Sequence, residues 1–311
     1  MLALMTTYSL ADVRAVCKSR DAWWTVLLVD PMACRLVRFL ASRTSVTPNQ
    51  VTAVAFMFGV CAAACFSIGE WRFMALGAVF FHLGFVADCI DGKLARLKRN
   101  GTVFGLWLDF ALDQVRLVMC SFALAYGLYL QTGRPEAAFL AGVIIAFDLV
   151  RYLNGPHMAK VRKAMKERLV VALNVAGDTR GGRVRPSAKE KAEVRDRIRE
   201  NPSTREEAQR GLQTGFQARF PWYLRMRQRL LARRIRTHLV SGIEYQMAVF
   251  VVGPILGPAA LPYVVGVFGT LLMVFESALV YKLWMSTRDF NRAMRRIESR
   301  EESRAGAPLV R

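Results

Sequence analysis

The sequence predicts an all-α integral membrane protein: a bundle of six membrane-crossing helices behind an N-terminal interfacial amphipathic helix. Three observations predict it. Apolar residues make up 53% of the 311-residue chain, and the mean hydropathy is +0.23. These residues gather in runs close to the ~20 residues that a helix needs to cross a bilayer. Between the runs lie most of 44 Lys+Arg against 24 Asp+Glu, a net charge of +20. A disordered polycation has almost no apolar runs and a soluble globule does not need so many, so segregated apolarity and positive charge fit membrane spans with basic connections.

Residues 1–46 mix Arg and Lys with short apolar patches and hold no cleavable signal-peptide core. Within them, residues 11–43 read as an interfacial helix with Trp23 and Trp24 near the headgroups. Residues 47–156 hold four spans, at 47–69, 72–95, 102–131 and 135–156. Thr47-Pro48-Asn49 opens the first, with Thr47 as cap and Pro48 at the first helical position. Gly69, Gly133 and Gly257-Pro258 punctuate the turns. A basic insertion follows at 157–239, then two spans at 240–258 and 260–285, and an Arg-rich tail at 286–311.

Charge sets the expected orientation. The connections near 69–72, 132–136 and 256–262 hold only Glu70, Arg72, Arg134 and Glu136, whereas the opposite side receives the basic clusters. The positive-inside rule places those clusters and both termini in the cytoplasm, in a bacterial-type inner membrane. Residues 160–236 alone carry 22 basic and 8 acidic residues, a net +14. Their middle, Gly177 to Lys191, reads as a loop, and Trp222 through Arg236 reads as a basic amphipathic helix. Anionic membrane lipids are the expected partner rather than nucleic acid, because no stacking platform or groove-reading motif accompanies the charge.

The chemistry concentrates in residues 88–113. Asp88 and Asp91 are three residues apart and Asp109 and Asp113 four apart, so each pair shares a helical face. A short turn near Lys98–Thr102 joins the two spans, which puts both pairs at similar depth. Ionisable groups inside a span are costly and mark functional sites. Four clustered carboxylates repel unless positive charge lies among them. Ligand oxygens without His or Cys select hard cations, here two Mg²⁺ or Mn²⁺ ions. The six cysteines form no C-x-x-C pair, and His82, His157 and His238 are scattered. Gly92 leaves room for a phosphate or base, and Arg96 one turn on can neutralise it. A structural reading, in which Lys93 and Arg96 bridge to the acids, accounts for one or two carboxylates but not four.

These residues spell D-x2-D-G-x2-A-R-x8-G-x3-D-x3-D from Asp88 to Asp113. The pattern resembles that of the CDP-alcohol phosphotransferases, the CDP-alcohol phosphatidyltransferase family of membrane enzymes. The resemblance implies metal binding by Asp88, Asp91, Asp109 and Asp113, with Asp113 also the general base. It implies a CDP-alcohol pocket lined by Gly92, Arg96 and Thr102, close helix packing at Ala95 and Gly105, and a further polar contact from Asn49. The implied reaction is transfer of a substituted phosphate from a CDP-alcohol to an acceptor hydroxyl, with release of CMP, in phospholipid biosynthesis. CDP-diacylglycerol is the expected donor, since a membrane-embedded site admits acyl chains. The long 157–239 insertion departs from the short connection expected of typical relatives. Arg116, Asp148, Arg151, Glu244 and Tyr245 lie near the same ends of the spans, where an acceptor alcohol is expected to bind; for Arg116 a structural role, bridging to Asp113 or snorkelling to the interface, is the alternative. Small residues at Gly59 and Ala62–Ala64 allow close helix packing, and relatives imply a homodimer. Two alternatives stand beside this reading: a divalent-cation transporter, which calls for acids spread through the depth of the membrane, and an inactive basic membrane scaffold, which leaves the motif unexplained.

Overall fold

The computed structural model describes residues 7–178, 221–237 and 239–305. Among them the chain is helical, with a single isolated bridge between Asp21 and Ile235 and no strand. The elements are α1 (Leu10–Ala15), α2 (Asp30–Arg43), α3 (Pro48–Ile68), α4 (Trp71–Lys98), α5 (Val103–Thr132), α6 (Ala137–Asp178), α7 (Pro221–Ala232), α8 (Gly242–Met247), α9 (Gly253–Leu256) and α10 (Leu261–Ala305). Four helices are long and apolar enough to cross a membrane: α3, α4, and residues 137–172 and 261–299 of α6 and α10. Helix α5 has the length, but Asp109, Asp113 and Arg116 interrupt its first half. The expected span at 240–258 is a shorter apolar stretch, Gly242–Leu256, in which a π turn at Ala248–Val252 joins α8 to α9.

The helix starts follow local chemistry. The Thr47 side chain accepts from Gln50 N at 3.4 Å while Gln50 Oε1 accepts from Thr47 N at 3.0 Å, and Pro48 occupies the first turn. Helices α3 and α5 end at Gly69 and Gly133, both left-handed. The N-terminal region differs from the single helix expected over 11–43. It breaks after α1 and resumes in a π turn, Thr25–Val29, that leads into α2. Asp21, paired with the 235–236 segment, occupies the break. Helices α6 and α10 run through the boundaries expected at 156 and 285. Pro156 removes one backbone hydrogen bond, but the Ala, Met, Lys and Arg residues beyond it are good helix formers. Polarity changes there; helical preference does not. Most of the loop expected at 177–191 lies outside the described residues.

The chain divides into two compact units, Met1–Tyr152 with Gln228–Phe275 and Leu153–Arg227 with Glu276–Arg311. In the second, Met165, Leu169 and Val170 pack with Phe290, Met294 and Ile297, while Asn154 donates to Glu276 at 3.4 Å. Residue numbers rise together along both partners, so these segments run parallel.

The first unit carries the site. Helix α3 packs against both α4 and α5. Contacts of Thr52 with Asp91 and of Phe66 with Gly77 make α3 and α4 antiparallel, whereas Gly59 beside Arg116 and Phe66 beside Gly127 make α3 and α5 parallel. The start of α3, the end of α4 and the start of α5 therefore share one end of the bundle. Phe81 stacks on Phe250 at 4.6 Å between ring centroids, near Phe66, to fill the core.

Lys93 does not join the acids of the motif. It pairs with Asp30 at 2.9 Å, both side chains being buried, and Arg234 approaches the other oxygen of Asp30 at 3.3 Å. Arg234 reaches Asp30 because α7 ends in a tight turn with Arg234 itself left-handed. Arg236, in turn, pairs with Asp21 at 2.9 Å. Arg234 and Arg236, the last two basic residues of the 222–236 segment, thus meet carboxylates. Breaking a buried ion pair from one side leaves an uncompensated charge. Lys93→Met is expected to destabilise the protein by ~3 kcal/mol, the low end of that effect because Arg234 remains; thermal unfolding in detergent checks it.

Candidate active site

Two turns near the end of α4 and two near the start of α5 supply the acids. One oxygen from each of Asp88, Asp91 and Asp109 lies within 4.8 Å of the other two. Asp91 is buried, and the Thr52 hydroxyl donates to its Oδ2 at 2.5 Å, with the Pro48 carbonyl 3.1 Å away as a second acceptor. Oδ1 of Asp109 is buried without a hydrogen-bond partner. A buried carboxylate oxygen beside two other carboxylates is costly unless a cation meets it. The donor set is all oxygen, so the residues fit a hard divalent cation.

Asp113 stands apart from this trio. Its Oδ1 pairs with Arg116 Nη2 at 2.6 Å, and both residues line a cleft shared with Thr52, Asp88 and Asp109. The expected quartet is therefore a trio plus one. Arg116 is buried rather than held open for an acceptor: of the two readings of the sequence, the bridge to Asp113 is the one that forms.

The residues expected around a CDP-alcohol lie at the same end. Thr102 caps α5 by accepting from Gly105 N at 2.9 Å, and Thr102 and Asn49 are both exposed. A Cβ at position 105 would sit 2.9 Å from Asn49 Oδ1 and from Thr102 Oγ1, so glycine there is what lets α3 and α5 approach. Arg96 is exposed; its Nε donates to the Val16 carbonyl at 2.8 Å, and its terminal nitrogens lie over Gly92. Asp148, Arg151, Glu244 and Tyr245 divide by role. Glu244 caps α8, accepting from Ser241 N at 3.0 Å and from Trp23 N at 3.2 Å. Asp148 is buried between Arg151 at 3.5 Å and Gln246 at 3.1 Å, and the Tyr245 hydroxyl is buried without a hydrogen-bond partner.

Cys17, Asp30 and Cys34 also converge, with the two sulfurs 3.7 Å apart. Asp30 is already held by two cations, and burial pushes the Cys34 thiol up to about 11. Lys93 and Arg234 thus already meet both oxygens of its only carboxylate.

Thr52 was not singled out in the sequence; the only signal is a small hydroxyl residue one turn after the cap of α3. A partner that orients a ligand typically changes metal affinity 10–100-fold. Thr52→Val is expected to weaken Mn²⁺ binding ~10-fold, and Thr52→Ser to restore it, as read by titration of the electron paramagnetic resonance signal of free Mn²⁺.

Residues 45–173 match the family model described as CDP-alcohol phosphatidyltransferase. A bifunctional IPC transferase and DIPP synthase from Aquifex aeolicus is 33% identical over 128 residues, which is 39% of this chain and 28% of that protein. Its namesake from Thermococcus kodakarensis is 32% identical over 128 residues, 39% and 27% of the two chains. A phosphatidylinositol phosphate synthase from Corynebacterium glutamicum is 27% identical over 130 residues, 41% and 56%. The chain thus spans less than two thirds of the length of each of these relatives.

Proposed function

We propose, from the match of residues 45–173 to the CDP-alcohol phosphatidyltransferase family model, that the protein transfers a phosphatidyl-type group from a CDP-alcohol to an acceptor hydroxyl, releasing CMP. The observation that carries the reading is the convergence of Asp88, Asp91 and Asp109 oxygens within 4.8 Å, at a cleft that Asp113 also lines. Asp88, Asp91 and Asp109 hold Mg²⁺ or Mn²⁺, two ions when Asp113 contributes. Bound cations supply charge neutralisation for the diphosphate. Arg96 and Gly92 bind the donor's phosphates, while Asn49 and Thr102 bound its nucleotide end. Asp113 accepts the proton of the acceptor hydroxyl. The freed oxygen forms a bond to the β-phosphorus as the bond from that phosphorus to the CMP oxygen breaks, and CMP leaves with the electron pair.

CDP-diacylglycerol is the proposed donor. The first turns of α5 expose Val103, Phe104, Leu106 and Trp107 just ahead of Asp109, an apolar rim suited to acyl chains. The proposed topology has six crossings, adding α5 and Gly242–Leu256 to the four long apolar helices. Both termini and the acidic site then face the cytoplasm of an inner membrane. Helix α2 and the π turn before it lie in the interface: Leu28 of the turn and Met32, Leu36 and Phe39 of the helix form an exposed apolar stripe flanked by Arg35 and Arg38. A homodimer in the membrane completes the proposal.

The test is CMP release by the purified protein in nanodiscs with Mn²⁺ or Mg²⁺. CDP-diacylglycerol is compared with a short soluble CDP-alcohol, each against a panel of alcohols. An inositol phosphate belongs in the panel because one relative is a phosphatidylinositol phosphate synthase. Acceptor-dependent CMP release with the lipid donor is expected. No release with any donor overturns the enzyme reading, and release with the soluble donor alone overturns the lipid assignment.

A further inference from the structure

Arg116 is more constrained than an ion pair requires. Its guanidinium lies 5.6 Å over the Phe81 ring on α4, and its side chain is only 6% exposed, against 38% for Asp113. Helix α3 opens a slot for it. A Cβ at Gly59 would sit 2.7 Å from Arg116 Cγ and Cδ, and one at Gly84 on α4 would reach within 3.8 Å of Nη1. Three helices therefore fix one guanidinium, and a buried guanidinium without a carboxylate is costly. Its hold on Asp113 Oδ1 at 2.6 Å is set from outside α5 as well as by the three-residue spacing within it.

We infer that Arg116 is a positioning residue for Asp113: it clamps one carboxylate oxygen and so holds the other in a fixed orientation in the cleft shared with Asp88 and Asp109, to take the proton of the acceptor alcohol. The inference rests on the transferase reading above. Its physical basis is that a carboxylate free to rotate would be drawn toward any cation the trio holds. Arg116 offers a permanent charge 2.6 Å from Oδ1, so the orientation of Asp113 does not depend on which cations the trio holds.

The experiment is a double-mutant cycle in nanodiscs on Asp113→Asn, Arg116→Met and the pair, read by CMP release and by Mn²⁺ affinity from the resonance signal of free Mn²⁺. Arg116→Met is expected to lower kcat ~100-fold, to leave the donor KM within about threefold, and to leave Mn²⁺ affinity within about threefold. The double variant is expected to be no slower than Asp113→Asn alone, since the clamp acts only through Asp113. Arg116→Lys, which keeps the charge without the planar fork, is expected to fall between wild type and Arg116→Met; it carries the cycle if Arg116→Met does not fold. Additive losses in the double variant, an unchanged kcat in Arg116→Met, or a tenfold loss of Mn²⁺ affinity on replacing Arg116 each overturn the inference. A wild-type protein that releases no CMP fails the transferase reading instead, so the two failures are told apart.

Discussion

Asp113→Asn is expected to lower CMP release by ~10²–10⁴-fold, the range a positioned general base contributes. The substitution keeps the shape of the side chain and removes its ability to take a proton. Because the Asp113 carboxylate lies outside the group of three whose oxygens share a 4.8 Å neighbourhood, Mn²⁺ binding is expected to survive within about tenfold. The variant also leaves Arg116 buried without its counter-charge, so a lower unfolding temperature is expected with it. Kinetics are therefore compared at a temperature where both proteins are folded. Rapid acceptor-dependent turnover by Asp113→Asn removes this residue from the role of base. Loss of Mn²⁺ binding together with turnover makes it a metal ligand first.

Neutralising the trio produces the other large effect, and with the opposite sign on the stability of the metal-free protein. Asp91→Asn or Asp109→Asn removes one of three ligands, and both metal affinity and CMP release are expected to fall by at least ~100-fold. Without metal, the same change relieves repulsion among clustered carboxylates, one oxygen of which, Asp109 Oδ1, is buried without a hydrogen-bond partner. The variants are thus expected to unfold at a higher temperature than wild type in the presence of chelator. Mn²⁺ stabilises wild type by binding only the folded state, so that order is expected to reverse when the ion is added. A wild-type unfolding temperature indifferent to Mn²⁺ and to chelator removes the metal site altogether.

The legible part of the molecule is the part written in short range. The Thr47 cap, the helix ends at Gly69 and Gly133 and the face shared by Asp88 and Asp91 depend on residues a few positions apart, and the structure shows each of them. The illegible part depends on pairs far apart in the chain. Its place beside the acids makes Lys93 a candidate bridge to them, but it meets Asp30 across 63 positions because α2 packs on α4. Thr52 is a small hydroxyl in a run of apolar residues, and nothing local marks its role until α3 and α4 pack antiparallel and bring it to Asp91. The helix boundaries expected near 156 and 285 rest on a change in polarity, which marks where a helix changes surroundings and not where its backbone hydrogen bonding stops.

The amino-acid sequence by itself determined which residues are acidic, how they are spaced and hence which share a helical face, because the 3.6-residue repeat makes that a local property. Tertiary structure alone decided how each face is turned. The rotation of α5 against α3, permitted where Gly59 makes room for Arg116, sends Asp109 toward Asp88 and Asp91 and buries the guanidinium that Asp113 meets three residues along its own helix. That rotation is set by close packing between helices tens of residues apart, and no spacing within either helix encodes it.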